Sequence, residues 1–299
     1  MNWSFLEEYT LGITLGVAFG IIARLTMLRT DYRQYPTYPH GKIIHIALGV
    51  IAAGLGAVAV PSLLNKDYTA ITFLSLAAQQ FRDVRNMERQ SLLQMDKMEL
   101  VTRGTTYIEG IAMVFEGRNY LVILTAFVTT FFAILYHWYI GIAAGLLSLL
   151  LANWLKKGKS LSEVAEISIG EVRVEGPDIY VGSIYMMNVG LKDSQEIIRK
   201  HGIGLLFKPK NINCRATLAN LGQRQAILFD ISTILGVYRD SGDPSLIPIA
   251  KLDKDDGTLG VLILPQDYDK DKALAAAVRV PMLESAVRMP TESSARRKS

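Results

Sequence analysis

Residues 119–157 read NYLVILTAFVTTFFAILYHWYIGIAAGLLSLLLANWLKK. Two apolar runs, 119–136 and 139–155, are parted only by His137 and Trp138 and are followed by Lys156 and Lys157. Each is about long enough to cross ~30 Å of hydrocarbon at ~1.5 Å per residue. Tyr136, Trp138 and Tyr139 crowd the turn, where amphipathic rings favour the bilayer interface, while the lysines at the far end stay in water. The stretch predicts a tight membrane-spanning hairpin, which sets the class of the whole first half of the chain.

Working outward toward the start, residues 11–28 and 43–64 are two further apolar runs. The first carries Gly12, Gly16 and Gly20 on nearly one helix face, a small-residue stripe that lets another helix approach closely in lipid. Another helix of the same chain and a second copy of the chain, which would make a homodimer, are the candidates for that helix. Residues 68–81 are apolar but short, and Arg82, Asp83 and Arg85 follow at once. No helix breaker lies between Thr69 and Val101, so one long helix is expected there, amphipathic in its lower part.

Charge decides between four spans and five. Basic residues fill three segments: Arg24, Arg29, Arg33 and Lys42; then Arg82, Arg85, Arg89, Lys97, Arg103 and Arg118; then Lys156, Lys157 and Lys159. All three lie on the cytoplasmic side only if the short third stretch also crosses. The expectation is a helical multi-span membrane domain over 1–158, with five spans near 10–28, 43–64, 68–88, 119–136 and 139–155. Its N-terminus is outside, its C-terminus inside, and segment 85–118 is cytoplasmic and amphipathic. The setting is the lipid bilayer of the cell membrane. The acidic start, Met1 to Glu8, predicts no cleaved secretory signal.

Composition agrees. The 299 residues are 50% hydrophobic and 20% charged, with a mean hydropathy of +0.23. Those values argue against an ordinary soluble enzyme and against a disordered chain. The net charge of +4 comes from residues flanking apolar runs, so topology accounts for it and nucleic acid is not an expected partner. A single cysteine, Cys214, excludes an intramolecular disulfide and a cysteine-built metal site.

Between the long amphipathic helix and the fourth span lies Tyr107-Ile108-Glu109-Gly110-Ile111-Ala112. Read physically, the segment 105–119 is mostly apolar, with Gly104, Gly110 and Gly117 as points where it can break, and suits a re-entrant or interfacial helix. Glu109 there is either a structural carboxylate paired with a nearby arginine or a desolvated acid that handles protons or cations. The hexapeptide resembles the motif of the YIEGIA family, multi-span membrane proteins of endospore-forming Firmicutes, and the spans and polar C-terminal half resemble that family's layout. The resemblance implies a role in sporulation or the spore membrane. It implies no particular chemistry.

The second half, 160–280, reads as a cytoplasmic α/β (α+β) domain, followed by a polar, disordered tail over 281–299. Strand-like runs occupy 167–174, 179–189 and 203–207, with a turn at Gly176-Pro177-Asp178. Residues 193–201 are helical with Gly202 as a stop, and 215–221 form a short helix ending at Gly222. Residues 225–235 suit either a buried strand or a helix. A hairpin is expected from 246–252 to 258–264 across Asp255-Asp256-Gly257, then a helix over 269–278.

No phosphate-binding loop, dinucleotide fingerprint or serine elbow is present. His40, His45, His137 and His201 lack metal-ligand spacing, so neither metal nor cofactor is expected. Asp240-Ser241-Gly242 matches the tripeptide of aspartic proteases, in which two aspartates share a proton and activate water. One copy per chain would require a dimer. Tyr238-Arg239 before it and Asp243-Pro244 after it suit a plain surface turn instead. Arg215, Asn220, Gln223, Arg224 and Gln225, with Asp230 and Asp240 nearby in sequence, form a polar cluster that either lines a ligand or partner site or is a solvated helix face. Three functions follow. The layout implies a regulator of other membrane or sporulation proteins, acting through its cytoplasmic domain. Asp240 implies a membrane-anchored aspartic-type endopeptidase. Glu109 implies a component of a transport assembly.

Overall fold

The structure, a computed structural model, describes residues 3–31, 39–155, 160–240, 243–244 and 246–292. The chain divides into two compact units. One holds Met1–Arg89 and Ile111–Lys157, the other Gln90–Gly110 and Gly158–Ser299.

The first unit is helical. It is built from α1 (Trp3–Asp31), α2 (Pro39–Leu64), most of α3 (Tyr68–Asp96) and of α4 (Thr105–Leu135), and α5 (Trp138–Leu155). Among the described residues three helices are long and apolar enough to cross a membrane: Tyr9–Leu28, Gly41–Leu64 and Thr105–Leu135. Trp138–Trp154 is apolar but shorter. The unbroken 29-residue α3 fits the absence of a breaker, yet its charged lower half keeps it out of that set. α4 differs from the expected interrupted segment, since it runs 31 residues straight through Gly110 and Gly117. A glycine inside a helix costs about 1 kcal/mol, an amount that tertiary packing overrides. At Gly110 that packing is the side chains of Ser285 and Leu283.

Small residues set the helix contacts. Ala23, Ala52, Ala53, Ala57 and Ala126 are fully buried together, as expected where dispersion rather than the hydrophobic effect joins helices in lipid. The stripe on α1 meets helices of its own chain. Gly12 lies against Ile134, Gly16 against Thr130 and Ala126, and Gly20 against Ala53. A methyl group at Gly16 would sit 2.8 Å from the Ala126 carbonyl oxygen. The Thr130 hydroxyl donates to the Gly12 carbonyl at 3.2 Å. Within the chain, α2 and α4 cover the face of Gly12, Gly16 and Gly20 on which a homodimer was one candidate.

The second unit is α+β. A four-stranded antiparallel sheet has the order β1-β5-β9-β8, from β1 (Ala165–Gly170), β5 (Ile203–Pro209), β9 (Leu259–Ile263) and β8 (Ile249–Leu252). A meander of β2 (Val172–Glu175), β3 (Asp178–Val181) and β4 (Ile184–Asn188) forms a second sheet. The helices are α6 (Lys192–His201), α7 (Ile212–Ala219), α8 (Leu221–Leu235) and α9 (Lys270–Arg279). The two-residue strands β6 (Arg239–Asp240) and β7 (Asp243–Pro244) pair Asp240 with Asp243. The core gathers Ile203, Leu205 and Phe207 of β5, Val261 and Ile263 of β9, Ile227 and Ile231 of α8, and the alanines of α9.

The ambiguous run 225–235 is helix, and it starts earlier than its pattern indicates. α7 stops at Ala219, and Asn220 caps α8 by accepting the Gln223 amide at 3.1 Å. Gly222 is therefore inside a helix and not at the end of one. The tail expected over 281–299 begins with packed residues. Met282, Leu283 and Ala286 are buried, and residues 293–299 lie outside the described set.

Candidate functional site: a clamp on the start of α4

The second unit includes the connector from α3 to α4 and the first turn of α4. Asp96, the last residue of α3, is 6% exposed. Its carboxylate accepts the backbone amides of Arg103 at 2.6 Å and Gly104 at 3.0 Å. Charge-assisted bonds of this kind fix a loop more firmly than neutral ones. Arg103 lays its guanidinium 3.9 Å from the centre of the Phe229 ring on α8 and bonds Glu99 at 3.4 Å. Gly104 adopts φ +82°, and a Cβ there would collide with Gln225, so glycine is required both for the backbone and for the fit.

Gln225 then reaches the helix itself. Its Oε1 accepts the Tyr107 amide at 3.2 Å, one of the first-turn donors that no helix can satisfy internally. The Tyr107 ring is buried edge-on to Phe229, with centroids 6.5 Å apart. Asp230 and Arg103 are the charged groups that act on its phenol. Gly222 admits the Thr106 carbonyl, 3.1 Å from where its own Cβ would stand. Gln223, fully buried, donates to the Pro281 carbonyl at 3.2 Å and accepts the Leu283 amide at 2.8 Å. That pins segment 281–286, against which Gly110 packs. The backbone donors and acceptors named here are satisfied by side chains. The arrangement positions a helix end.

The residues singled out from sequence divide accordingly. Tyr107, Ile108, Ile111 and Ala112 are buried and Glu109 is half-buried. Asn220, Gln223 and Asp230 serve α8 and the clamp. Arg215 faces elsewhere, donating to the Asp255 carbonyl at 3.0 Å and to that of Lys254 in the β8–β9 turn. Arg224 donates to the Ala219 carbonyl at 3.0 Å. The expected polar cluster is thus three separate tasks. Of the Asp-Ser-Gly tripeptide, Asp240 has its backbone in β6, while Ser241 and Gly242 lie outside the described residues. Among the described residues no group of three His, Cys, Asp or Glu side chains is placed to hold a metal ion.

Sequence reasoning named Gln225 in the polar cluster and Arg103 as a partner for Glu109, and missed Asp96, Phe229 and the bonds that tie the four together. The readable signal was Arg103-Gly104, a charge and a turn residue just before an apolar helix. It also missed a buried polar group in the first unit. There His45 Nε2 and Glu88 Oε1 lie 3.5 Å apart, and Arg24 Nε donates to the His45 carbonyl at 3.3 Å. Phe115 lies against both His45, with the rings tilted at 4.8 Å, and Arg24, at 5.4 Å. One helical turn beyond Phe115, Asn119 is buried with neither carboxamide atom hydrogen-bonded. Arg24 was read as a loop flank, although it is 1% exposed.

The uncharacterized protein YphB of Bacillus subtilis (strain 168) is 56% identical over 287 residues, covering 96% of this chain and 97% of that protein. No solved structure matches the chain. The YIEGIA protein family matches residues 12–293, the clamp and both units included, and the chain belongs to that family.

Proposed function

We propose that this is a five-span membrane protein, with its N-terminus outside, whose α+β unit is cytoplasmic and regulates other membrane proteins during sporulation. Three helices of membrane-crossing length and apolarity support the bilayer setting, and the basic segments support the orientation. The family's resemblance to proteins of endospore formers supports the cellular process. The observation that carries the regulatory reading is the clamp. Asp96, Gln225 and Gly104 hold the motif-bearing start of α4 to the polar unit, an arrangement suited to relaying a partner's binding into a helix rather than to a reaction.

The test compares membrane proteomes of sporulating cells carrying wild type, a deletion, Asp96→Ala and Asp240→Asn at equal expression. The regulatory reading expects Asp96→Ala to resemble the deletion and Asp240→Asn to resemble wild type. A deletion that leaves every other membrane protein unchanged sinks it. Asp240→Asn behaving as the deletion would move the endopeptidase reading to first place. Orientation is tested separately with cysteines at Asn65 and Gly158 in a Cys214→Ala background, where labelling of both from one side refutes five spans.

A second reading, membership of a transport assembly, draws on the buried His45, Glu88 and Asn119, since polar groups inside a membrane bundle commonly mark ion paths. It expects Glu88→Gln to abolish a proton or cation flux in reconstituted vesicles.

A further inference from the structure

A cleft of about 430 Å³ opens in the second unit, beside the clamp. Its size falls in the range of small-molecule sites, ~300–1,000 Å³. One wall is the last two turns of α8, which present Phe229, Ser232 and Thr233 to it. The facing wall is the connector, through Leu100 and Val101, and Val237 also lines it. Most of this lining is apolar. Two features are not.

The first is Ser232. The residue is 5% exposed, and its hydroxyl is buried without a hydrogen-bond partner. Its neighbour Thr233 has returned its own hydroxyl to the Phe229 carbonyl at 2.8 Å, so on the α8 wall Ser232 is the polar handle, with Gln266 the other uncharged polar residue of the lining. A buried hydroxyl without a partner carries a desolvation cost that a ligand group can remove. The second is electrostatic. The cleft lies at the C-terminal end of α8, the negative pole of that helix. Glu99 is the charged residue of the lining, where it bonds Arg103 at 3.4 Å and has a second carboxylate oxygen to offer.

We propose that this cleft is a binding site for a small primary amine carried on an apolar, aromatic or branched aliphatic body. The ammonium N–H groups donate to Ser232 Oγ, and its charge is favoured by the helix terminus and by Glu99. The body fills the space between Phe229, Leu100 and Val237. A carboxylate on the same body meets the negative pole and is excluded. The site stands independently of the regulatory reading. It also gives the connector a ligand to respond to, because residues 99–101 are one of its walls.

The experiment uses the full chain in nanodiscs, titrated with 2-phenylethylamine, 2-phenylethanol and 3-phenylpropionate, with hydrogen-exchange protection of peptides covering 228–238 as the readout. The amine is expected to give saturable protection, the alcohol weaker protection and the carboxylate none. Ser232→Ala is expected to weaken the amine at least fivefold while raising the thermal midpoint of the ligand-free protein, a pair of opposite signs that misfolding cannot mimic. Glu99→Gln is expected to weaken the amine and leave the alcohol unchanged. Absence of saturable protection by the amine, equal protection by 3-phenylpropionate, or an amine affinity unmoved by Ser232→Ala would each overturn the proposal.

Discussion

Asp96→Ala tests the clamp most directly. The carboxylate holds two backbone amides, those of Arg103 and Gly104, at 2.6 and 3.0 Å, in a site only 6% exposed. Hydrogen bonds to a charged group contribute about 1.5–3 kcal/mol each, and removing the acceptor leaves buried donors behind. The two together make a local cost of about 3–5 kcal/mol. At roughly 1.4 kcal/mol per tenfold, the connector should open about a hundred to a few thousand times more often. Hydrogen exchange reads that opening directly, because amides of a locally unfolding segment report its own free energy. Peptides covering 97–106 should exchange faster by that factor in Asp96→Ala, and by a smaller one in Asp96→Asn, which keeps a carbonyl oxygen. Peptides from β5 and β9 should be unchanged. An acceleration under tenfold in 97–106 would refute the assigned strength. Equal acceleration in β5 and β9 would refute its local character.

Gln223→Leu keeps the side-chain volume but strands the Pro281 carbonyl and the Leu283 amide, so the second unit should lose about 2–4 kcal/mol in denaturant melts, and 281–292 should become the first site of proteolysis. Gly16→Val places carbon against Thr130 and the Ala126 carbonyl, and should lower the thermal midpoint of the helical unit in nanodiscs; an unchanged midpoint would mean that α1 is not packed there. Asp256 accepts the amide and the hydroxyl of Thr258, both at 2.7 Å, and these bonds hold its carboxyl below the usual aspartate range. That contribution is present above an aspartate's ordinary pKa, about 3.9, and is lost as pH falls through the depressed value. Urea melts should therefore separate wild type from Asp256→Asn at pH 7 and bring them together in strong acid.

Periodicity and charge made the helical unit legible to the extent that they act locally. The hairpin at His137, the long uninterrupted α3 and the small-residue face of α1 are each properties of one stretch of chain. What covers that face is not. Gly12, Gly16 and Gly20 announce a close neighbour, and only folding shows that Ile134, Thr130 and Ala53 supply it. Arg24 shows the same limit. A cation near the end of an apolar run reads as a topology signal, whereas here the His45 carbonyl and the Phe115 ring keep it inside the bundle. In the polar unit the β8–β9 hairpin was readable because Gly257, at φ +80°, sits in a turn its neighbours also specify. The run 225–235 was not, since a helix buried along much of its length loses the amphipathic period that marks a surface helix.

The six-residue motif shows why recognition and mechanism can part company. Its first four residues group with the polar unit and its last two with the helical unit. Tyr107 supplies a ring under Phe229 and an amide to Gln225, and Gly110 supplies room for Ser285. Each of those requirements is steric or is met through the backbone, so each constrains residue identity tightly without needing a reactive group. A catalytic motif fixes residues through the chemistry of their side chains. A docking motif fixes them through shape, and its meaning lies in distant partners such as Gln225 and Leu283, more than a hundred residues away. Such a stretch names a family plainly and reveals its task only when the groups it touches are known.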